Sequence, residues 1–257
     1  MLFLAGTSDA RALAVRLAAR YDVVATVVTD SAAKSLTDKG IPALVGRLTA
    51  EEMATKVRER GDRIIVDASH PFAEEASKNA QAAAKLAGVP YCRDERTSEN
   101  FTNPLITPVE TYDEAAEVAL ARKGNVMLLT GSKTLQVFAE KLVGIEGIRM
   151  IARMLPRLDN MEKCAALGVE QKNIIAMQGP FSRDLNEALY KQFDTTLMIT
   201  KESGKAGAVD EKITAALDLG IEVVLITRPK IQYDNAFDTF IGVEQFIGGI
   251  LHDEQYR

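Results

Sequence analysis

The chain has 257 residues, and domains usually run to roughly 100 to 200, so two modest domains are the expected organisation. Hydrophobic residues make up 47% and charged residues 26%, ordinary globular proportions that argue against disorder, collagen-like repeats and fibrous low complexity. A net charge of −5 argues against a surface built for nucleic acid, while leaving room for a local cationic cluster around a small anion.

Short apolar runs alternate with longer amphipathic stretches, the pattern of strands and crossover helices in a parallel α/β sheet. Leu2 to Ala5 reads as the first strand. Asp9 to Arg20 reads as the helix after it, with Ser8 or Asp9 placed to cap its start. Strands follow at Asp22 to Val28, Ala43 to Val45 and Arg63 to Asp67. Helices are expected near Ser31 to Lys39 and Thr49 to Arg60, and a long alanine-rich one over Ala73 to Ala87. After Val89-Pro90-Tyr91-Cys92-Arg93 the text turns polar through Asn100, with Pro104 and Pro108 soon after, so the domain linker is placed there. The expected domains are residues 1–95 and 105–257. In the second, helices are read near Tyr112 to Arg122, from Ser132, near Asn160 to Leu167, Arg183 to Phe193 and Ala208 to Leu219. Strands are read at Asn125 to Leu129, Ile148 to Ala152, Ile174 to Met177, Thr196 to Thr200 and Glu222 to Thr227. The fold class is therefore α/β, with two doubly wound, Rossmann-like parallel sheets. The closing segment Phe240 to Leu251 is apolar enough to pack on its own domain or on another subunit.

Cys92 and Cys164 are too few for a disulfide framework, and no CxxC pair is present to hold zinc, so both read as reduced core thiols. The opening MLFLAGTSDAR lacks a basic region ahead of its apolar run, unlike a cleavable signal, and no apolar stretch reaches the roughly 18 residues of a membrane helix. A soluble cytoplasmic protein with no membrane partner is expected.

Ligands of open parallel sheets sit beyond the carboxyl ends of the strands, so the polar residues there are informative. Gly6-Thr7-Ser8-Asp9-Ala10-Arg11 combines a glycine with a helix start suited to a phosphate, yet it is not a GxGxxG and also suits an ordinary turn. Asp67-Ala68-Ser69-His70 brings a carboxylate, a hydroxyl and one of only two histidines to a strand end. A lone histidine is more often structural than catalytic, Asp67 could simply cap the next helix, and Asn79 could be only a surface group. Thr130-Gly131-Ser132-Lys133 fits an anion site or a capped helix. Gln178-Gly179-Pro180-Phe181-Ser182, with Asn186 a turn later, is explained equally by capping. Thr200-Lys201-Glu202-Ser203-Gly204, followed by Gly207, Glu211 and Lys212, suits a phosphate or carboxylate, or is a solvated loop.

In combination and order these segments resemble the precorrin-6A reductase family, the corrin-ring reductases of cobalamin biosynthesis, in both cobalt-free and cobalt-containing variants. The matching text is GTSDARALA, VGRLTAEEM, DASHPFAEEASKNA, PYCRDER, TGSK, RMLP, MQGPFSRDLNEAL, TKESGKAGAVDEK and ITRP, spread over nearly the whole chain. The resemblance implies two α/β domains with a cleft between them. It further implies NADPH- or NADH-dependent reduction of one double bond of a poly-carboxylated tetrapyrrole, precorrin-6A or its cobalt form, to the dihydro product precorrin-6B or its cobalt form, without metal or flavin. Alignment of donor and acceptor would be the protein's main task. Gly6, Thr7, Ser8, Arg11, Ser182, Lys201, Ser203 and Gly204 are the expected coenzyme residues. Asp67, Ser69 and His70 are expected on the cleft floor, Ser69 toward the coenzyme, with His70 and Asp67 as the candidate catalytic pair. Arg93, Arg96 and Arg153 are expected on substrate carboxylates. Asp30 sits where a carboxylate would bind a ribose diol and favour NADH, whereas Ser31, Lys34 and Arg47 could receive a 2′-phosphate. The chain departs from the family pattern at Ala206-Gly207, where a glycine pair is usual. A reductase of another substrate and a non-catalytic nucleotide sensor are the rival readings.

Overall fold

The computed structural model describes residues 1–95, 102–202 and 211–252. The chain divides into two compact units, Met1–Thr97 with Pro229–Arg257, and Ser98–Arg228.

In the first unit β1 (Leu2–Ala5), β2 (Val24–Val27), β3 (Ala43–Val45), β4 (Ile65–Ala68) and β5 (Tyr91–Asp94) alternate with α1 (Ser8–Ala18), α2 (Asp30–Thr37), α3 (Ala50–Arg60) and α4 (Glu74–Ala87). Strands β1, β2 and β4 are short, mostly apolar runs buried on both faces, as a sheet covered by helices requires. Helix α1 turns Ala10, Leu13, Ala14 and Leu17 inward at helical spacing. Its cap is Thr7, one residue ahead of the expected Ser8, because the Thr7 hydroxyl accepts the Ala10 N–H at 3.1 Å. Thr49 and Glu52 form a capping box at the start of α3, and Gly61 ends that helix at φ 66°.

The sheet order is β12-β5-β4-β1-β2-β3, and every pairing is parallel. Its sixth strand, β12 (Ala236–Phe237), comes from the far end of the chain, followed by α10 (Phe240–His252). This corrects the expected boundary, which gave all of 105–257 to the second domain. The physical reason is twofold. Strand β5 offers an open edge that β12 fills, with Ala236 opposite Arg93, and α10 buries Val243 and Ile247 in the cluster of Phe3, Ala25 and Val66.

The second unit contains β6 (Ile106–Val109), α5 (Tyr112–Arg122), β7 (Gly124–Leu128), α6 (Leu135–Leu142), β8 (Ile148–Met154), α7 (Leu158–Ala166), β9 (Ile174–Ala176), α8 (Arg183–Gln192), β10 (Leu197–Lys201), α9 (Glu211–Asp218) and β11 (Glu222–Ile226). Its order is β6-β11-β10-β7-β8-β9, again all parallel. Pro108 obscures β6 in the sequence. It is tolerated because β6 lies at the sheet edge and pairs only with β11. Both sheets thus have the doubly wound order with a reversal beside the central strand, at β1/β4 in one and β7/β10 in the other. The edge position next to β5 is filled from the end of the chain, and the one next to β11 from the beginning of the second unit.

Candidate functional site

At the first reversal, Leu4 lies opposite Asp67 and Ala5 opposite Ala68, so the chain leaves both strands side by side. Gly6 follows at once. A Cβ there would stand 3.0 Å from the His70 nitrogen and 3.3 Å from the Ser69 Cα, so a larger residue would require this backbone to give by a few tenths of an ångström. Beyond it, Thr7 caps α1, Ser8 is exposed with its hydroxyl 3.3 Å from Asp9, and Arg11 makes no ion pair among the described residues. A backbone path this close, ending in a helix N-terminus, is the kind of cradle a dinucleotide phosphate needs.

The loop after β4 is fixed from below by charge. Asp67 and Arg93 face each other in register on β4 and β5. Their ends meet at 3.0 Å, with side chains 0% and 1% exposed. Asp67 also accepts the Ser69 N–H at 2.9 Å and the Tyr91 hydroxyl at 2.8 Å. Arg93 donates further to Glu95 at 2.7 Å and to Ser69 Oγ at 3.1 Å. Burial alone would lower the Arg93 pKa, but Asp67 and Glu95 raise it on balance, so the guanidinium stays charged. The Tyr91 phenol is raised by burial and then by the Asp67 charge, and the Cys92 thiol, buried between Tyr91 and Arg93, is pushed up to about 12 by burial and by Asp94 and Asp67. The sequence reading gives Arg93 to a substrate carboxylate; its guanidinium instead faces Asp67, Ser69 and Glu95 inside the unit, because a charge this deep needs its counter-charge beside it. Asp67 likewise has its carboxylate engaged by Arg93, Tyr91 and Ser69.

His70 is half-buried. Its Nδ1 accepts the Phe72 N–H at 3.1 Å, which puts the proton of the neutral ring on Nε2. Asn79 donates to the Leu48 carbonyl at 3.3 Å and ties α4 to the loop before α3.

At the second reversal the backbone of Leu129 bonds that of Ile199, aligning the loops after β7 and β10. Gly131 turns at φ 83°, and Lys163 donates to the Ser132 carbonyl at 2.8 Å. Lys201 ends β10 half-buried, and its pKa is lowered first by burial and then by Lys212 and Lys133. The next residue, Glu202, 3% exposed, accepts from Arg228 at 2.9 Å. At the ends of β8 and β9, Arg153 donates to Asn186 at 2.7 Å and lies 4.0 Å from the Phe181 ring centroid. Asn186, 1% exposed, donates back to the Ser182 carbonyl at 2.9 Å, and Ser182 caps α8 through the Leu185 N–H. Leu155, Leu158 and Met177 stand exposed at the same strand ends, at 48%, 75% and 38%. A pocket of about 510 Å³ in this unit lies instead at the amino-terminal ends of β8 and β9, between Ile148, Arg149, Val169 and Asn173.

Arg96, Ser203, Gly204 and the Ala206-Gly207 departure lie outside the described residues. No group of three or more His, Cys, Asp or Glu placed to hold a metal occurs among the described residues, nor does a helix long and apolar enough to cross a membrane. Tyr233, Asn235 and Ser77, which surround Arg93, were not legible as site residues, because no local pattern in the sequence marks them.

The family model of precorrin-6x reductase CbiJ/CobK matches residues 1–247. The chain belongs to this reductase family. A cobalt-precorrin-6A reductase of Priestia megaterium is 58% identical over 241 residues, 93% of this chain and 94% of the relative. One from Salmonella typhimurium is 37% identical over 233 residues, 89% and 87% of the two chains. A precorrin-6A reductase of Rhodococcus erythropolis is 30% identical over 241 residues, 90% of each. Among solved structures, a CobK precorrin-6A reductase superposes with a TM-score of 0.81 at 24% identity, covering 97% of this chain and 96% of its own, and so shares the precorrin-6x reductase fold. Members of this family are oxidoreductases of the corrin pathway, and two doubly wound units are the frame on which this one is built.

Proposed function

We propose that this chain reduces one ring double bond of cobalt-precorrin-6A to its dihydro product, using NADPH or NADH. The observation that carries the reading is the approach of Gly6 to the Ser69–His70 backbone beneath the capped start of α1, a cradle that a single added methyl would fill. The cobalt form is favoured by the relatives, since those named for it reach 58% identity and those named for precorrin-6A 30%. The coenzyme, once bound, supplies a hydride. The rest is alignment, charge matching and exclusion of water by the protein.

In this reading Gly6, Thr7, Ser8 and Arg11 receive the coenzyme phosphates with Ser69 beside them. Ser182 and Lys201 contribute from the second unit, together with Ser203 and Gly204. Arg153 and Arg96 meet substrate carboxylates, and the apolar Leu155, Leu158 and Met177 suit a conjugated ring face. His70 carries a proton on Nε2 and is the candidate donor to the reduced ring, whereas Asp67, held by Arg93 and Tyr91, acts by anchoring the loop. Coenzyme choice falls to two exposed residues on neighbouring strand ends. Asp30, in the first turn of α2, favours a ribose diol, and Arg47 favours a 2′-phosphate. Arg47→Ala and Asp30→Ala should move the NADPH to NADH preference in opposite directions.

The deciding experiment is anaerobic incubation with cobalt-precorrin-6A, and separately precorrin-6A, following the absorbance of each coenzyme and the product mass. One coenzyme consumed per two-hydrogen mass gain supports the assignment. No consumption with either substrate and either coenzyme overturns it. A His70→Ala enzyme with unchanged turnover at saturating substrate removes the proton role.

A further inference from the structure

We infer that Tyr233, carried in by the returning C-terminal segment, is a positioning residue that holds the Ser69–His70 loop against Gly6 by bracing the Asp67–Arg93 pair. The inference rests on the reading of that loop as part of the coenzyme site, and its distinct content is that a residue far along the chain, outside every motif of the loop, sets the loop's position.

The geometry runs in one line. The Tyr233 ring is stacked on Tyr91, with centroids 6.3 Å apart and planes inclined by 17°. Its face lies 5.2 Å from the Arg93 guanidinium carbon, a distance at which a desolvated cation is attracted to an aromatic ring. The same guanidinium reaches Ser77 on α4 at 3.5 Å, and Ser77 in turn lies 3.4 Å from the Ser69 hydroxyl. The neighbouring Asn235 fixes the segment in place. Its carbonyl accepts the Arg93 N–H at 2.8 Å, and its side chain donates to the Tyr91 carbonyl at 3.0 Å. Arg93 and Tyr91 then grip Asp67, and Asp67 accepts the Ser69 N–H. Every link is a direct contact, and the last one fixes the loop backbone that Gly6 meets.

Removing the ring frees the guanidinium on one side and leaves the Asp67 turn to relax, without touching any group expected on the ligands. The test compares Tyr233→Leu, which loses ring and hydroxyl, with Tyr233→Phe, which keeps the ring. In Tyr233→Leu the Ser69 amide should exchange with solvent about tenfold faster, and the KM for the coenzyme should rise about tenfold, while the KM for the tetrapyrrole stays within about twofold. Tyr233→Phe should restore both values to within about twofold of the native ones. A merely structural role would raise both KM values or neither, and would not be rescued by the ring alone. Unchanged Ser69 protection in Tyr233→Leu overturns the inference, as does lost protection with an unchanged coenzyme KM. If Tyr233→Leu does not fold, Tyr233→Met is held to the same outcomes. If the native protein turns over neither coenzyme, the coenzyme reading of the loop fails on its own, and Ser69 exchange alone judges the coupling to Tyr233.

Discussion

The two sheets share one topology but treat charge at their reversals in opposite ways. At β1/β4 the charges are matched inside the unit, Asp67 against Arg93 with Glu95 and Tyr91 beside them, and the Gly6 backbone passes close to that of Ser69 and His70. At β7/β10 lysines crowd one another, with the Lys201 pKa lowered by burial and by Lys212 and Lys133. A buried ion pair that is complete holds a loop rigid. A half-buried cation beside other cations has its charged form disfavoured by burial and by its neighbours. The same fold therefore carries a closely packed backbone turn in one unit and a crowd of lysines in the other, and the side chains at the strand ends, not the topology, make the difference.

The sharpest way to break the comparison is to remove one cation from each reversal. Arg93→Met leaves the Asp67 carboxylate buried without its partner, and losing one member of a buried pair costs about 3–5 kcal/mol. Urea unfolding should show that loss, and a change of less than about 1 kcal/mol would mean that the pair is not what holds the loop. Lys201→Met should have the opposite character. It removes a cation from a cationic neighbourhood, so stability should hold or rise while coenzyme affinity falls about tenfold, read by fluorescence titration. A destabilised Lys201→Met with native affinity would erase the distinction between the two sites.

A smaller effect sharpens the first site alone. Gly6→Ala adds a methyl 3.0 Å from the His70 nitrogen, a contact with backbone that no side-chain rotation relieves. Overpacking of this kind costs about 1–3 kcal/mol. The coenzyme KM should rise with it, and steady-state kinetics with the tetrapyrrole held saturating would show whether the cradle or the whole unit has been disturbed.

Legibility from sequence followed the same division. The apolar runs Leu2 to Ala5 and Ile64 to Val66 announced strands because a parallel sheet is buried on both faces, and the glycines and hydroxyls after them announced a ligand edge. What escaped was long-range. Tyr91-Cys92-Arg93-Asp94 carries two charges in four residues and looks like surface, yet all four are buried, with the Arg93 charge matched by Asp67 on the neighbouring strand. Strand β12 is two residues long and has no periodicity to detect; only the open edge of β5 gives it a place. Pro108 hid β6 for the reason given by its edge position. In each case the deciding partner lies more than a hundred residues away or on another strand, which local pattern does not encode.

The last comparison is by pH, and its sign follows from the lowered pKa of Lys201. Burial and the neighbouring lysines disfavour the charged form in the folded chain, so the unfolded chain binds more protons in the window between the folded pKa and the ordinary lysine value. Stability from this group therefore rises with pH across that window. An anion on Lys201 reverses the balance by favouring the charged form, so its binding takes up a proton there. Coenzyme affinity should then weaken as pH rises through the folded pKa of Lys201, and calorimetry in buffers of different ionisation enthalpy should register the proton uptake. In Lys201→Met both the weakening and the uptake should vanish, while a Tyr233→Phe control keeps them. Persistence of the pH dependence in Lys201→Met would move the anion to Lys133 or Lys212, and the second reversal would then owe its character to the helix side of the site instead of the strand end.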